Sequence, residues 1–297
     1  IALNENTKRL KEKGIKFFLG HKKENIKFVD SVVFSSAIKN NNPEIKAAIT
    51  KKIPILSRAD MLAELMKNKK SIAIAGSHGK TTTTSLVGNI LNQASLDPTI
   101  VNGGIINSLS KNNRYGKGKW MIVEADESDG SFLKLPHQIS IITNLDIEHL
   151  DFYSSKENLF NAFENFVNML PFYGTSIVCL DDKNLKSLVK KIKTRNIISY
   201  SIKSKKADVY IYDIVKSTTK TSFKLKVNRN KIILSSNYIF TINTIGNHNV
   251  LNGTASIIAA KLVGVDNNSI NKALENYIGV KRRFTFLGKK NQALIFD

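Results

Sequence analysis

A glycine followed by lysine and threonine, at the mouth of an apolar strand, supplies the residue types that hold a polyphosphate. The run Gly76-Ser77-His78-Gly79-Lys80-Thr81-Thr82 follows the alternating apolar stretch 71–75 and precedes Leu86, Val87, Ile90 and Leu91, which recur with helical spacing. The pattern predicts strand, tight loop and helix. In that arrangement the loop's backbone N–H groups and the helix N-terminus face an anion. Lys80 would bridge terminal phosphates and Thr81 would offer a hydroxyl to Mg²⁺. The spelling departs from the common G-x-x-x-x-G-K-[ST], because Ile74 occupies the first position. A glycine-rich turn with an incidental lysine is the plain alternative.

Four further segments carry polar groups that suit such a cradle. The strand-like WMIVEA empties into Glu124, Asp126, Glu127 and Asp129. Carboxylates at the C-terminal end of a parallel strand lie on the ligand-binding edge, and hard oxygen donors suit Mg²⁺; a solvated acidic loop is the other reading. ISIITNLDIEHLDFY ends its strand in polar residues, with His149 between Glu148 and Leu150 and near Asp151. At the same edge His149 would touch a second metal ion or a phosphate, although a lone histidine is more often a surface group. IGNHNVLNGTA opens a helix with Asn249 and Asn252 on one face. Their amides match the donor and acceptor edge of a purine, and helix capping explains Asn249 almost as well. In GVKRRF, Arg282 and Arg283 alternate if the segment is a strand, so one could reach a transferring phosphate.

The elements that must position these groups alternate along the chain. The first block, 1–68, reads as helix (NTKRLKEKG), strand (IKFFLG), strand (SVVFSSAI), helix opened by Asn42-Pro43, strand (IPILS) and helix (RADMLAELMKN). Such alternation predicts a parallel α/β sheet. The second block, 69–288, holds the cradle, the two polar-ended strands, a helix with Leu159, Phe160, Phe163, Phe166, Val167 and Leu170 on one face, then TSIVCL, a helix and IISYS. A small antiparallel meander is predicted from ADVYIYDIVKSTTKTSFKLKVNRNKIILSS, and two closing helices follow it. The last residues, including 289–297, read as a strand pair.

Composition narrows the partners. The chain has 297 residues, 42% hydrophobic, enough for a packed core. Lys+Arg 45 against Asp+Glu 24 gives a net charge of +21, but the lysines are scattered without aromatic interleaving. That pattern favours anionic substrates over specific nucleic-acid recognition. The one cysteine, Cys179, sits in an apolar run and reads as a buried inert thiol, so no disulfide forms within the chain. No stretch approaches the roughly 20 apolar residues of a membrane span, so a soluble cytoplasmic protein is expected. The chain begins at Ile1 in what reads as a helix already under way.

Taken in order, AGSHGKTTTT, VEADESDGSFL, TNLDIEHLDFY, LPFYG, GNHNVLN and GVKRRF resemble the Mur ligase family over nearly the whole chain. The resemblance implies a partial Rossmann-like N-terminal domain at 1–68 holding a UDP-sugar, with Ser35 and Ser36 facing substrate. A P-loop-type ATP-binding α/β domain at 69–288 and the start of a C-terminal domain at 289–297 would follow. It implies ATP contacts from Gly76, Ser77, His78, Gly79, Lys80, Thr81 and Thr82, with Asn249 and Asn252 at the adenine. Thr81, Glu124 and His149 would be metal ligands, and Lys80 and Arg283 would act on the transferred phosphoryl group; Asp126 and Glu127 are weaker candidates. Ser77 stands where the family commonly has threonine, which keeps the hydroxyl. NLDIEHLD replaces the more usual N-I-E-A-D-H-x-D, so only His149 and Asp151 carry over.

Within the family the wording is most similar to members that join L-alanine to UDP-N-acetylmuramate through an acyl phosphate, for peptidoglycan synthesis. A ligase that joins a preformed tripeptide to the same sugar, and a generic P-loop ATPase, are the alternatives. The resemblance places a glycine-rich loop before residue 1 and most of a further domain after the last residues. By itself the chain would then bind nucleotide weakly and not turn over.

Overall fold

The computed structural model describes residues 5–107, 111–192, 195–228, 234, 238–280, 286–291 and 293–296. They form two compact units, 1–64 and 65–297.

The first unit contains α1 (Glu5–Glu12), β1 (Val32–Phe34), α2 (Pro43–Thr50) and β2 (Ile55–Ser57), and α3 (Arg58–Met66) leads out of it. β1 and β2 are parallel, with Val32 opposite Ile55 and Phe34 opposite Ser57. The connection between them is α2, so the unit is built on a β-α-β crossover, as the alternation predicts. Asn42 caps α2 by accepting from Glu44 N at 2.8 Å, and Pro43 takes the first helical position, where no N–H is needed. The stretch 15–20, expected as a strand, has no regular secondary structure. Ile15, Phe18 and Leu19 are 47%, 51% and 69% exposed. An extended segment holds its form through a ladder partner, and among the described residues the sheet of this unit consists of β1 and β2.

The second unit is built on one ten-stranded sheet. In chain order its elements are β3 (Lys70–Ala75), α4 (Lys80–Gln93), β4 (Thr99–Ile106), β5 (Lys111–Arg114), β6 (Trp120–Glu124), β7 (Ile139–Ile142), α5 (Leu150–Tyr153), α6 (Lys156–Asn168), β8 (Thr175–Cys179), α7 (Lys183–Lys191), β9 (Asn196–Ser201), β10 (Val209–Lys216), β11 (Thr221–Val227), β12 (Ile239–Ile242), α8 (Asn247–Val263) and α9 (Asn267–Glu275). A separate antiparallel hairpin, β13 (Phe286–Lys290) with β14 (Ala293–Phe296), follows and fits the expected strand pair. The strand order is β12-β11-β10-β9-β8-β7-β3-β6-β4-β5. From β10 to β4 every pairing is parallel. The central strands are buried on both faces, as their nearly unbroken apolar runs require.

Of the predicted antiparallel strands, β10 and β11 form and continue the main sheet, Val209 of β10 pairing in parallel with Tyr200 of β9; the KIILSS end of that prediction lies largely outside the described residues, and β12, beyond the predicted stretch, adds antiparallel to β11. The opposite edge carries β4 and β5, which sequence patterning missed because Asn102, Gly103 and Gly104 interrupt the alternation of β4. α4 packs against α8 and α9. The apolar face of α6 buries Phe163 and Phe166 against Phe132, with ring centroids 5.3 and 5.0 Å from Phe132. Truncating such a ring costs about 3–5 kcal/mol, so this cluster fixes the helix that follows His149.

Candidate active site

Because β7, β3 and β6 are adjacent and parallel, their C-terminal ends open on one edge, and the three polar-ended segments converge there. The turn out of β3 runs through Gly76 at φ +127° and Gly79 at φ +83°. A side chain at Gly76 would collide with Thr143 Oγ1 and the Asn144 carbonyl. The loop is strapped to the segment after β7. His78 N donates to Asn144 Oδ1 at 2.7 Å, Asn144 Nδ2 donates to His78 O at 2.8 Å, and Thr143 Oγ1 donates to the same carbonyl at 2.6 Å. Ser77 Oγ accepts from Asp146 N at 2.8 Å. His78 Nε2 points outward, 3.0 Å from Asp146 Oδ2 and 3.6 Å from Glu148 Oε1. The first N–H groups of α4 have no intrahelical acceptor and face the same edge as the loop, as phosphate binding requires.

Lys80 is the first residue of α4. Its Nζ donates to Gly76 O at 2.8 Å and to Glu127 Oε1 at 2.8 Å. Glu127 is 1% exposed; burial raises its pKa, against the pull of the hydrogen bond and charge of Lys80. His149, in the left-handed conformation at φ +57°, stands with Nε2 4.0 Å from Glu127 Oε1.

Thr81 Oγ1 donates to Glu124 Oε1 at 2.9 Å, and Glu124 Oε2 accepts from Gly103 N at 2.6 Å. A side chain at Gly103 would stand 2.9 Å from Glu124 Oε2, and one at Gly104 would stand 2.8 Å from Thr81 Cγ2. The double glycine of β4 is therefore what lets that strand approach the Thr81–Glu124 pair. Sequence reasoning missed Gly103; its signal was a glycine inside a strand-like run, which marks a close backbone approach. Two hard oxygen donors side by side fit Mg²⁺. Among the described residues no three His, Cys, Asp or Glu side chains are grouped as a ready-made metal cage, so such an ion would also draw on phosphate oxygens or water.

The asparagines of α8 differ from each other. Asn249 is buried and donates through Nδ2 to Thr244 Oγ1 at 2.9 Å and Ile245 O at 2.8 Å, which folds the loop entering the helix. Asn252 lies against the turn at Gly79, where an added Cβ would be 2.8 Å from its Oδ1. Ser35 and Ser36 belong to the first unit and follow the C-terminal end of β1; Ser35 Oγ accepts from Ala37 N at 3.4 Å. Arg282 and Arg283 lie outside the described residues. Cys179 is buried, and burial pushes its thiol up to about 11, in keeping with an inert role. No helix of the described residues is long and apolar enough to cross a membrane.

A glycine loop, lysine and threonine between a buried parallel strand and a helix, with a glutamate on the neighbouring strand, define a nucleotide-binding α/β domain. The chain belongs to the Mur ligase family: the model of the Mur ligase middle domain matches residues 74–260, and that of the Mur ligase family catalytic domain matches residues 1–70. It is 45% identical over all of its length to a UDP-N-acetylmuramate--L-alanine ligase of Agrobacterium fabrum, covering 63% of that protein. Over 99% of its length it is 48% identical to the Rickettsia typhi protein of the same name, covering 59% of it. The chain thus spans about 60% of the length of the curated relatives it matches. Among solved structures it resembles the UDP-N-acetylmuramate-alanine ligase of Thermotoga maritima, with a TM-score of 0.81 at 27% identity over 100% of this chain and 66% of that one. A UDP-N-acetylmuramate:L-alanyl-gamma-D-glutamyl-meso-diaminopimelate ligase from Neisseria shares the fold, with a TM-score of 0.80 at 20% identity over 95% of this chain and 90% of that one.

Proposed function

We propose that the protein carrying this chain joins L-alanine to the carboxylate of UDP-N-acetylmuramate at the expense of ATP, in the cytoplasmic supply of peptidoglycan precursors. The observation that carries the reading is the 45–48% identity, along essentially the whole chain, to relatives bearing that name. The convergence of Lys80, Thr81, Glu124 and Glu127 on one sheet edge supports it.

The chemical problem is that a carboxylate is a poor electrophile. Transfer of the γ-phosphoryl group of ATP to the sugar's carboxylate makes an acyl phosphate; the amine then attacks the carbonyl carbon, and phosphate leaves as the amide forms. Two anions must meet in the first step. In this reading the Gly76–Gly79 turn and the start of α4 hold the phosphates, and Lys80 neutralises the oxygens between which the phosphoryl group passes. Thr81 and Glu124 would hold Mg²⁺, which when bound neutralises phosphate charge, and His149 would serve a second ion or a phosphate oxygen. On sequence grounds Asn249 and Asn252 are assigned to the adenine, Ser35 and Ser36 to the UDP-sugar and Arg283 to the transferred group; the place of Asn252 against the Gly79 turn favours the phosphate end of the cradle for that residue. The amine carries its own nucleophilic lone pair once deprotonated, so the chain's task is charge and alignment.

The test is phosphate release from ATP and Mg²⁺ by the full-length gene product with UDP-N-acetylmuramate, comparing L-alanine, the L-alanyl-γ-D-glutamyl-meso-diaminopimelate tripeptide and no amine. Release that requires both the sugar nucleotide and L-alanine is expected. Release with the tripeptide alone would move the protein to the second ligase type, and release indifferent to sugar and amine would sink the ligase reading.

A further inference from the structure

The ammonium of Lys80 is already engaged. Two of its three N–H groups are directed at Gly76 O and Glu127 Oε1, each at 2.8 Å, and Ser77 O lies 3.5 Å away. Glu127 itself is built in firmly. Its backbone carbonyl accepts from the Tyr153 hydroxyl and from Gly130 N at 3.1 Å, and its Oε2 is buried without a hydrogen-bond partner among the described residues. Such a carboxylate is costly to bury and sits where its charge opposes the anion the loop is shaped to hold. Its contribution is therefore geometric. Lysine has four side-chain torsions and carries about 2 kcal/mol of rotamer entropy; with two donors anchored, that freedom is lost on folding, and one N–H remains for a phosphate oxygen. Fixing the ammonium beforehand removes an ordering cost from the transfer step, while the buried negative charge of Glu127, 2.8 Å from Lys80 Nζ, offsets the lysine's attraction for phosphate and weakens nucleotide binding.

We propose that Glu127 is the positioning residue for Lys80: it sets the place of the ammonium in the cradle before nucleotide arrives, weakening nucleotide binding and speeding phosphoryl transfer. The proposal rests on the phosphoryl-transfer reading above for its effect on rate, and on geometry alone for its effect on affinity.

The experiment compares Glu127→Ala, Glu127→Gln, Lys80→Ala and the Lys80→Ala/Glu127→Ala double variant of the full-length gene product. ADP affinity is measured directly by calorimetry and kcat by phosphate release. Glu127→Ala should bind ADP severalfold more tightly while kcat falls by up to about a hundredfold, the scale of a roughly 1 Å misplacement. Glu127→Gln, which is isosteric and keeps an acceptor, should show the same tightening with a smaller loss of kcat, and it carries the test if the alanine variant does not fold. In the Lys80→Ala background, removing Glu127 should change kcat no further, since both act as one unit. Weaker ADP binding with kcat unchanged, no change in either, or losses that multiply in the double variant would each overturn the proposal. If the wild-type protein releases no phosphate with sugar and amine, the ligase reading fails, and the ADP arm still decides whether Glu127 acts on Lys80.

Discussion

Gly79 and Asn252 meet at the turn of the phosphate loop, so closely that a methyl group on Gly79 would stand 2.8 Å from Asn252 Oδ1. Gly79 also needs φ +83°, a left-handed value that costs an L-residue about 1–2 kcal/mol. Gly79→Ala should therefore lower thermal stability by that order and weaken ADP binding at least tenfold. Asn252→Ala should restore part of the stability, by removing the clash, and leave the backbone strain in place. Equal stability of Gly79→Ala with and without Asn252→Ala would show that the contact does not constrain the loop.

Thr81→Val removes the hydroxyl that Glu124 Oε1 accepts from at 2.9 Å, while keeping the volume. The lost hydrogen bond to a charged group is worth about 1.5–3 kcal/mol. A larger effect is expected on function: the Mg²⁺ concentration for half-maximal phosphate release should rise and kcat should fall, whereas Thr81→Ser should stay near wild type. A titration with Mg²⁺ at saturating ATP separates these outcomes.

Asn249 commits both amide donors to Thr244 and Ile245, so only Oδ1 remains for a ligand. An acceptor suits the exocyclic amine of adenine and not the 6-oxo group of guanine. Asn249→Ala should narrow the ratio of kcat/KM for ATP over GTP, with a stability loss of about 1–2 kcal/mol from the freed loop. If the ratio holds while stability drops, Asn249 is a loop cap alone.

His137 gives the pH dependence. It is 3% exposed, stacks on Phe166 at 4.4 Å and donates from Nδ1 to Leu135 O at 2.8 Å. Burial, opposed by backbone hydrogen bonds, lowers its pKa from 6.5 to about 4. Between those values the unfolded chain takes up a proton that the folded chain refuses. Stability from this group is therefore complete above pH 6.5 and lost as pH falls towards 4, by roughly 3 kcal/mol in total. Urea unfolding across that range should show a shallower slope for His137→Gln, which is less stable than wild type at pH 7. An unchanged slope would assign the acid loss to other groups.

What could be read from residues alone follows a physical division. The strand from Ser71, the Gly76–Gly79 turn and α4 were legible because periodicity, glycine and lysine all act within about twenty positions. Glu124 was legible as the end of an apolar strand, and its approach to Thr81 follows from the adjacency of β3 and β6. Strand partners were not legible. The stretch 15–20 has strand composition without a strand's neighbours, and β10 and β11 read as part of a separate meander because the parallel pairing of β10 with β9 leaves no local mark. Glu127 was one acid among four until the fold placed it on Lys80. Gly103 was hidden for the same reason: its value lies in a contact with Glu124, twenty-one residues further along the chain.

The wall that Asn252 gives the phosphate loop has a consequence in time. Asn252 is made about 170 residues after Gly79, and at roughly 5–20 residues per second a ribosome needs about ten to thirty seconds to cover that distance. For that interval the nascent chain holds a cradle without its far side. On the proposed assignment the nucleotide site is thus among the last features of the second unit to be completed, and stabilisation of the chain by ATP is expected only after α8 has emerged.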